Sequence, residues 1–369
     1  MDFSISDEQG EIVALAKQIL SDGSEHERLK ALETSGAPRF DAELWSDMAR
    51  AGLVGLAIDE AHGGGGLGFH ELTLILEEVG RTAAAVPYFE TTVLGALPIA
   101  AFGDAALQAA LLPKVASGEM ILTAALLEAD PDAAKPDVTA VAAGDAWKVS
   151  GTRFCVPAGV IAHHALVPAT TGDGRVGVFL VDLNGTGVER TALATTAGHP
   201  EARIVFSDAP AQLIGPADAE ASVLNWITER ATAAQCAMTV GLCDEALRLT
   251  AAYTKERKQF GVAIATFQAV GHRAADAYID AEAIRLTARQ ACWRIGQGLP
   301  AATETAIAKY WASAGGQRVV HAAQHLHGGM GVDRDYPLHR YFVLAKQLEL
   351  PLGGATHQLR HLGRMIAAT

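Results

Sequence analysis

The chain has 369 residues, half of them apolar and 19% charged, with 29 Lys and Arg against 42 Asp and Glu for a formal net charge of −13. Such a length exceeds one hydrophobic core and implies two or three domains, and a composition rich in Ala and Leu is that of packed helices, not of disorder. The negative field excludes nucleic acid and anionic lipid as general partners, so an anionic ligand needs a local Arg cluster.

The first residues, MDFSISDEQGEIVALAKQIL, are acidic where a signal peptide is basic, and their apolar positions are spaced, not continuous. No apolar run approaches the roughly 20 residues of a membrane-spanning helix. A soluble, cytoplasmic protein is expected. From Ser6 to about Gly118 apolar residues recur at three and four, as in Ile12, Leu15, Ala16 and Ile19, and predict helices broken at Gly36 with Pro38, at HGGGGLG (62 to 68) and at Pro87. The GGGG run lacks the Lys and Ser/Thr of a phosphate loop and reads as a connection between helices.

Between Glu119 and about Gly215 the runs WKVSGTRFCVPAG, HALVPAT, VGVFLVDL and ARIVFSDAPA, separated by turn residues, predict a small antiparallel β-domain. Helical periodicity then returns from Ala219 up to Leu299, from Ala301 to about His325 and from Tyr341 to Leu350. The predicted organisation is 1–118 helical, 119–216 β and 217–369 helical. Cys155, Cys236, Cys243 and Cys292 form no CxxC pair, so neither zinc nor a disulfide frame is implied and reduced thiols are expected. No GxSxG hydrolase motif occurs.

One segment, YTKERKQFGVAIATFQAVGHRAADAYIDAEAIRL (253 to 286), places Arg257, Phe260 and Gly261 at a helix exit and Phe267 with Gln268 at the next helix start. It resembles the RxxFG and FQ pattern of the acyl-CoA dehydrogenase family, and MDFSISDEQ, EAHGGGGLGFHELTLILEEVGR and HLHGGMGVDRDYPLHRYF have family counterparts in the same order. The resemblance implies a helical, β, helical fold ending in a four-helix bundle, with FAD as cofactor. In the family the Arg and Phe of RxxFG reach across a dimer interface to the pyrophosphate and adenine of the neighbour's FAD, and a GGxG segment touches the same end. Those roles fall on Arg257, Phe260, Gly328, Gly329 and Gly331. A guanidinium fork binds phosphate oxygens in pairs, and glycine lets backbone N–H approach an anion. The plain alternative is that Arg257 caps a helix C-terminus and the glycines only turn the chain. The Gln that precedes the glycines in the family is ambiguous in register here: Gln324 lies one residue too far and His325 takes the nearer position.

The family abstracts a substrate α-proton with a Glu while a hydride passes to flavin. Aligning ELPLGGATHQL on the C-terminal EGT motif puts Gly354 at the Glu, and the alternative base position of a second branch, 29 residues before Phe260, falls on Ala231. Both positions lack a carboxylate, so no catalytic residue is assigned. Glu229 lies two helical residues from Ala231, a rotation of about 200°, and reads as solvated; Glu349 reads as surface or interface. The Arg that contacts CoA in that branch falls on Thr232. The flavin-binding TEPGAGSD-like loop is replaced by LLEADPDAAKPD (126 to 137), and the Trp and Thr that flank the flavin ring correspond to Cys155 and Pro157. Proline offers neither hydroxyl nor N–H.

Groups for the chain's own flavin, base and substrate are missing, while those for a neighbour's FAD remain. The expected function is therefore the non-catalytic subunit of a heteromeric (α2β2) acyl-CoA dehydrogenase, similar to the base-less subunits of steroid side-chain degradation. Its partner would be a homologous subunit carrying the Glu and most of the acyl-CoA contacts. The FAD would be shared across the interface, with no metal. Two alternatives stand beside it: an active homo-oligomeric flavoenzyme with different chemistry, in which His357 or Asp130 serves as base, and a ligand-free structural homologue. A surface role is the simpler reading of His357.

Overall fold

Ser6 opens the first helix with a capping box: its hydroxyl accepts from the Gln9 amide while the Gln9 side chain accepts from the Ser6 amide. In the computed structural model, which describes residues 3, 5–127, 135–144 and 146–367, this helix is α1 (Asp7–Gly23). It is followed by α2 (His26–Thr34), α3 (Ala42–Arg50) and α4 (Phe69–Thr82). Asp41 and Asp104 cap α3 and α6 (Ala105–Ala116) through their side chains. Between them lie a seven-residue π-helix, Glu90–Ala96, and the short α5 (Leu97–Phe102). The expected breaks at Gly36, at 62 to 68 and before Pro87 all fall outside α-helix. Gly64 packs so closely that a Cβ there would meet the Ile58 and Gly55 carbonyls, which explains its place in the glycine run.

The strands are β1 (Leu122–Ala124), β2 (Thr139–Ala143), β3 (Ala146–Val156), β4 (His164–Thr171), β5 (Val176–Asp182), β6 (Val188–Ala192) and β7 (Ala202–Asp218). The expected all-antiparallel sheet is in fact mixed: β4 pairs antiparallel with β5 but parallel with both β1 and β2. The order β4-β2-β3-β7-β5 returns to β4 and so closes on itself, which removes exposed edges from that cycle. Arg153, 1% exposed, crosses the sheet interior to the Pro168 carbonyl at 3.0 Å and to the Asp137 carboxylate. Burial of the guanidinium is tolerated here because a carboxylate and a carbonyl accept from its two terminal nitrogens.

The C-terminal part holds α7 (Ser222–Glu256), the hairpin strands β8 (Lys258–Gln259) and β9 (Val262–Ala263), α8 (Gln268–Gly296), α9 (Ala302–His327), α10 (Leu338–Glu349) and α11 (Ala355–Ala367). Helices, then a sheet, then helices is the order expected. Among the described residues no helix is long and apolar enough to cross a membrane, and all four cysteines are free.

The chain packs as two compact units. One comprises Leu29–Leu72 and Ala85–Ala231, and the other Met1–Arg28, Thr73–Ala84 and Thr232–Thr369. In the second, helical unit, α4 crosses α7 through two glycines. A Cβ on Gly80 would collide with the Met238 carbonyl oxygen, and one on Gly241 with the Glu77 carbonyl oxygen. Beside this crossing Asp244 of α7 binds both Arg81 of α4 at 3.0 Å and Arg285 of α8 at 2.5 Å. Glu77 sits 3.4 Å from Arg289, yet burial outweighs the guanidinium and raises its carboxyl above the ordinary range. Gly241→Ala forces a methyl into backbone and should destabilise the helical unit by about 3 kcal/mol or more, read as a lowered Tm; an unchanged Tm would show that the crossing is not tight.

Candidate functional site

α7 ends because Arg257 turns out of the helix: its amide still bonds the Tyr253 carbonyl at 2.8 Å, while its own carbonyl accepts from Ile264 at 2.9 Å and closes the hairpin. Lys258 pairs with Ala263 and Gln259 with Val262, leaving Phe260 and Gly261 as a two-residue turn. Both have positive φ, 53° and 81°, the backbone of a type I′ turn. Asn-Gly is the usual sequence there; a phenylalanine in left-handed backbone is strained. The residue nevertheless stands 93% exposed, its ring meeting Phe267 edge-on at 6.2 Å. The Arg257 side chain is exposed and makes no hydrogen bond or ion pair among the described residues. An aromatic face and an open guanidinium, three residues apart, are thus presented outward.

α9 ends at Gly328, whose φ of 60° leads into a 3₁₀ turn, Gly328–Gly331. Gly328 and Gly329 face open space, whereas a Cβ on Gly331 would press on Gln324. The half-buried Gln324 therefore lies under this turn, and His325 is exposed outside it. That geometry separates the two candidates the sequence leaves in register ambiguity. His327 is buried between Tyr253, stacked at 4.4 Å, and Tyr336, and so ties the last turns of α7 and α9 to each other. Its Nδ1 donates to the Ala323 carbonyl at 2.8 Å, which leaves Nε2 to accept from the Tyr336 hydroxyl at 3.3 Å. Burial lowers its pKa, in keeping with a neutral ring. This stack is the part of the arrangement that sequence reading misses; its signal is an aromatic residue beside each of the two motifs.

No carboxylate occupies either base position. Gly354 has only the Glu349 carbonyl, at 3.6 Å, near the direction a Cβ would take, so side-chain volume does not dictate glycine there. Ala231 is fully buried and Thr232 nearly so. Glu229 is partly buried, 3.6 Å from the Arg230 guanidinium, and Glu349 pairs with Lys346 at 2.6 Å. The surface reading of His357 is corrected: the residue is half-buried, its ring covering Gly353 where a Cβ would collide with Nδ1, and that nitrogen is buried without a hydrogen-bond partner. Asp130 and most of the LLEADPDAAKPD segment lie outside the described residues.

In the sheet-bearing unit, Cys155 interrupts the β3–β7 ladder with a φ of 49°. Burial, then the Glu201 carboxylate beside it, pushes its thiol up, away from the reactive thiolate. The Pro157 carbonyl is already taken by the Thr123 hydroxyl at 2.5 Å. Nearby, a cavity of about 10 Å³, large enough for about one water, is lined by Arg39, Glu90 and His199 among others. Arg39 donates to His199 Nε2 at 3.3 Å; burial and this guanidinium pull the histidine down to about 3. Burial, aided by Glu201, pushes Glu90 up to about 7. The groups on this face are thus a thiol held protonated beside Glu201 and a Glu90 carboxyl that burial favours in its protonated form.

Comparison with known proteins settles the family. Residues 6–119 match the acyl-CoA dehydrogenase N-terminal domain, and 222–367 the acyl-CoA dehydrogenase C-terminal domain. The chain is 40% identical to acyl-CoA dehydrogenase FadE27 of Mycobacterium tuberculosis over the whole of both proteins. It belongs to the acyl-CoA dehydrogenase family. FadE28 of the same organism is 35% identical over 88% of this chain and 93% of that one. Among solved structures, a variant of the Tcur3481-Tcur3483 steroid acyl-CoA dehydrogenase is 44% identical with a TM-score of 0.93, covering 99% of each chain. The ChsE4-ChsE5 complex from Mycobacterium tuberculosis is 39% identical with a TM-score of 0.94 over all of both chains. The protein is thus an acyl-CoA dehydrogenase-type flavoprotein, and its cofactor is FAD. Arg257, Phe260 and the open glycines suit the phosphates and an aromatic ring of such a cofactor.

Glu90 supplies a pH test of the sheet-bearing unit. Its folded pKa of about 7 exceeds the ordinary 4.5, so the native state holds a proton that the unfolded chain releases, and stability must fall as pH rises from about 4.5 to about 7. Glu90→Gln should lack that loss, which amounts to about 3 kcal/mol at pH 8, and so exceed the parent there. Tm measured against pH checks this; parallel curves for the two proteins would mean that Glu90 does not titrate there.

Proposed function

We propose that this chain is the non-catalytic subunit of a heteromeric acyl-CoA dehydrogenase, completing the FAD site of a homologous partner that carries the catalytic Glu. The observation that carries this reading is the outward Phe260, held 93% exposed on strained backbone beside an unengaged Arg257, in a chain whose base positions are Gly354 and Ala231. Exposed strain in an aromatic turn is retained where something outside the chain covers it.

In this reading Arg257 binds pyrophosphate oxygens of the partner's FAD and Phe260 packs against its adenine. Gly328, Gly329 and Gly331 bring backbone close to the same end, with Gln324, or the more exposed His325, beside them. Bound FAD supplies the hydride acceptor for α,β-desaturation of an acyl-CoA thioester. The base that removes the α-proton, and most of the acyl-CoA contacts, belong to the partner. Two solved neighbours that are named as two-protein assemblies, one of them a steroid enzyme, favour a heteromer and a steroid side-chain thioester as substrate. The missing Arg at Thr232 agrees with acyl-CoA being held elsewhere.

The deciding measurement is the flavin-to-protein ratio of the chain purified alone and co-purified with a Glu-bearing homologue. Little flavin alone and one FAD per heterodimer are expected; one FAD per isolated chain would overturn the reading. In the complex, Arg257→Ala removes a charge-assisted pair worth about 1.5–3 kcal/mol and should weaken FAD retention roughly 10- to 100-fold, with the fold intact by circular dichroism.

A further inference from the structure

α10 ends without partners for its last carbonyls, as every helix does. Here the missing donors come from α9. Lys309, 1% exposed, donates from Nζ to the Leu348 carbonyl at 2.5 Å and to Gln235 Oε1 at 2.8 Å. One turn later the Ser313 hydroxyl reaches the Glu349 carbonyl at 3.5 Å. Beyond the turn, Gln358 Nε2 donates to the Leu352 and Gly353 carbonyls at 2.9 and 3.2 Å. Between these supports the chain makes two consecutive left-handed residues, Leu352 at 58° and Gly353 at 86°, and arrives at Gly354.

A buried ammonium whose hydrogen bonds go only to amide oxygens is costly, and among the described residues no carboxylate forms a direct ion pair with it. The titratable groups that face it are the Cys236 thiol on α7, which burial keeps protonated, and Glu349 on α10, itself engaged by Lys346. Ordinary core packing would place an apolar side chain at such a site. We propose that Lys309 is the positioning residue of the α10–α11 connection: by holding the Leu348 carbonyl from inside it anchors the end of α10, and with it the start of the Leu350–Gly354 backbone, so that the position equivalent to the family base is held in one place. The inference is independent of whether a partner subunit binds.

The test is amide hydrogen exchange on the full chain, in complex with its partner where one is bound, with protection factors corrected for intrinsic rates. Burial pushes the Lys309 amine down to about 8, so wild-type protection over Leu350–Gln358 should drop about tenfold between pH 6.5 and 9.5 while amides in α4 and α7 hold. Lys309→Met should show that local loss already at pH 6.5 and no further pH step. Unchanged protection in the variant, or loss in step with α4 and α7, overturns the proposal. If the variant does not fold, the wild-type profile decides alone: a flat profile over Leu350–Gln358 overturns it.

Discussion

The helical unit depends on one close approach. Where α4 meets α7, Gly80 and Gly241 let each backbone touch the other, and no residue with a Cβ fits either place. At such a distance the helices cannot slide without a clash, so their relative rotation is fixed. Asp244 can then serve two guanidiniums at once, Arg81 from α4 and Arg285 from α8, and each pairing is satisfied without a stray charge. The arginines in turn sit among Glu77, Glu78 and Glu282, so that opposite charges alternate across three helices. Exposed ion pairs contribute little, but half-buried ones that share an acid act mainly to set register. Register is what a long α7 has to deliver, because its far end carries Arg257.

From that end the order passes through rings. Tyr253 lies one turn before Arg257, and His327 immediately before Gly328; their stacking couples two helix exits that carry the candidate ligand groups. A neutral imidazole is suited to this role, since an imidazolium would have to be desolvated between two phenols. The hydrogen bond from Nδ1 to the Ala323 carbonyl fixes the ring plane within its own helix. The Phe260 turn, by contrast, rests on little beyond its two-strand ladder and Phe267. A rigid base carrying an exposed aromatic tip is the form expected of a group that works on something outside the chain.

Much of this was readable beforehand because it follows from local rules. The Ser6 capping box, the glycine breaks and the return of helical periodicity after the sheet are all written in short spacings. Arg257, Phe260 and the glycines at 328 to 331 were visible as motifs. The mixed sheet was not, because strand direction depends on which strands meet, and β1 and β2 reach β4 only through non-local pairing. His357 looked like a surface residue at a helix start; it is half-buried because Gly353 has no Cβ to exclude its ring. Lys309 was invisible for a related reason, since a lysine within a helix of mixed periodicity gives no sign that its partners are carbonyls at the end of another helix. Gln324 and His325 differ in exposure through a contact of Gln324 with Gly331 that spacing cannot express.

The pattern of loss also bears on how such a chain is kept. Had Gly354 been glycine because the backbone required it, a Cβ there would meet resistance; instead the space is open and the φ is not in the left-handed range. Its neighbour Gly353 is the constrained one. Neither crowding nor backbone therefore demands glycine at 354, and the segment around it is fastened by Lys309, Ser313 and Gln358. A segment with no remaining task would have no need of a buried ammonium to hold it. The retained geometry and the missing charge fit together if the connection still contributes shape to an assembly whose chemistry is done by another chain.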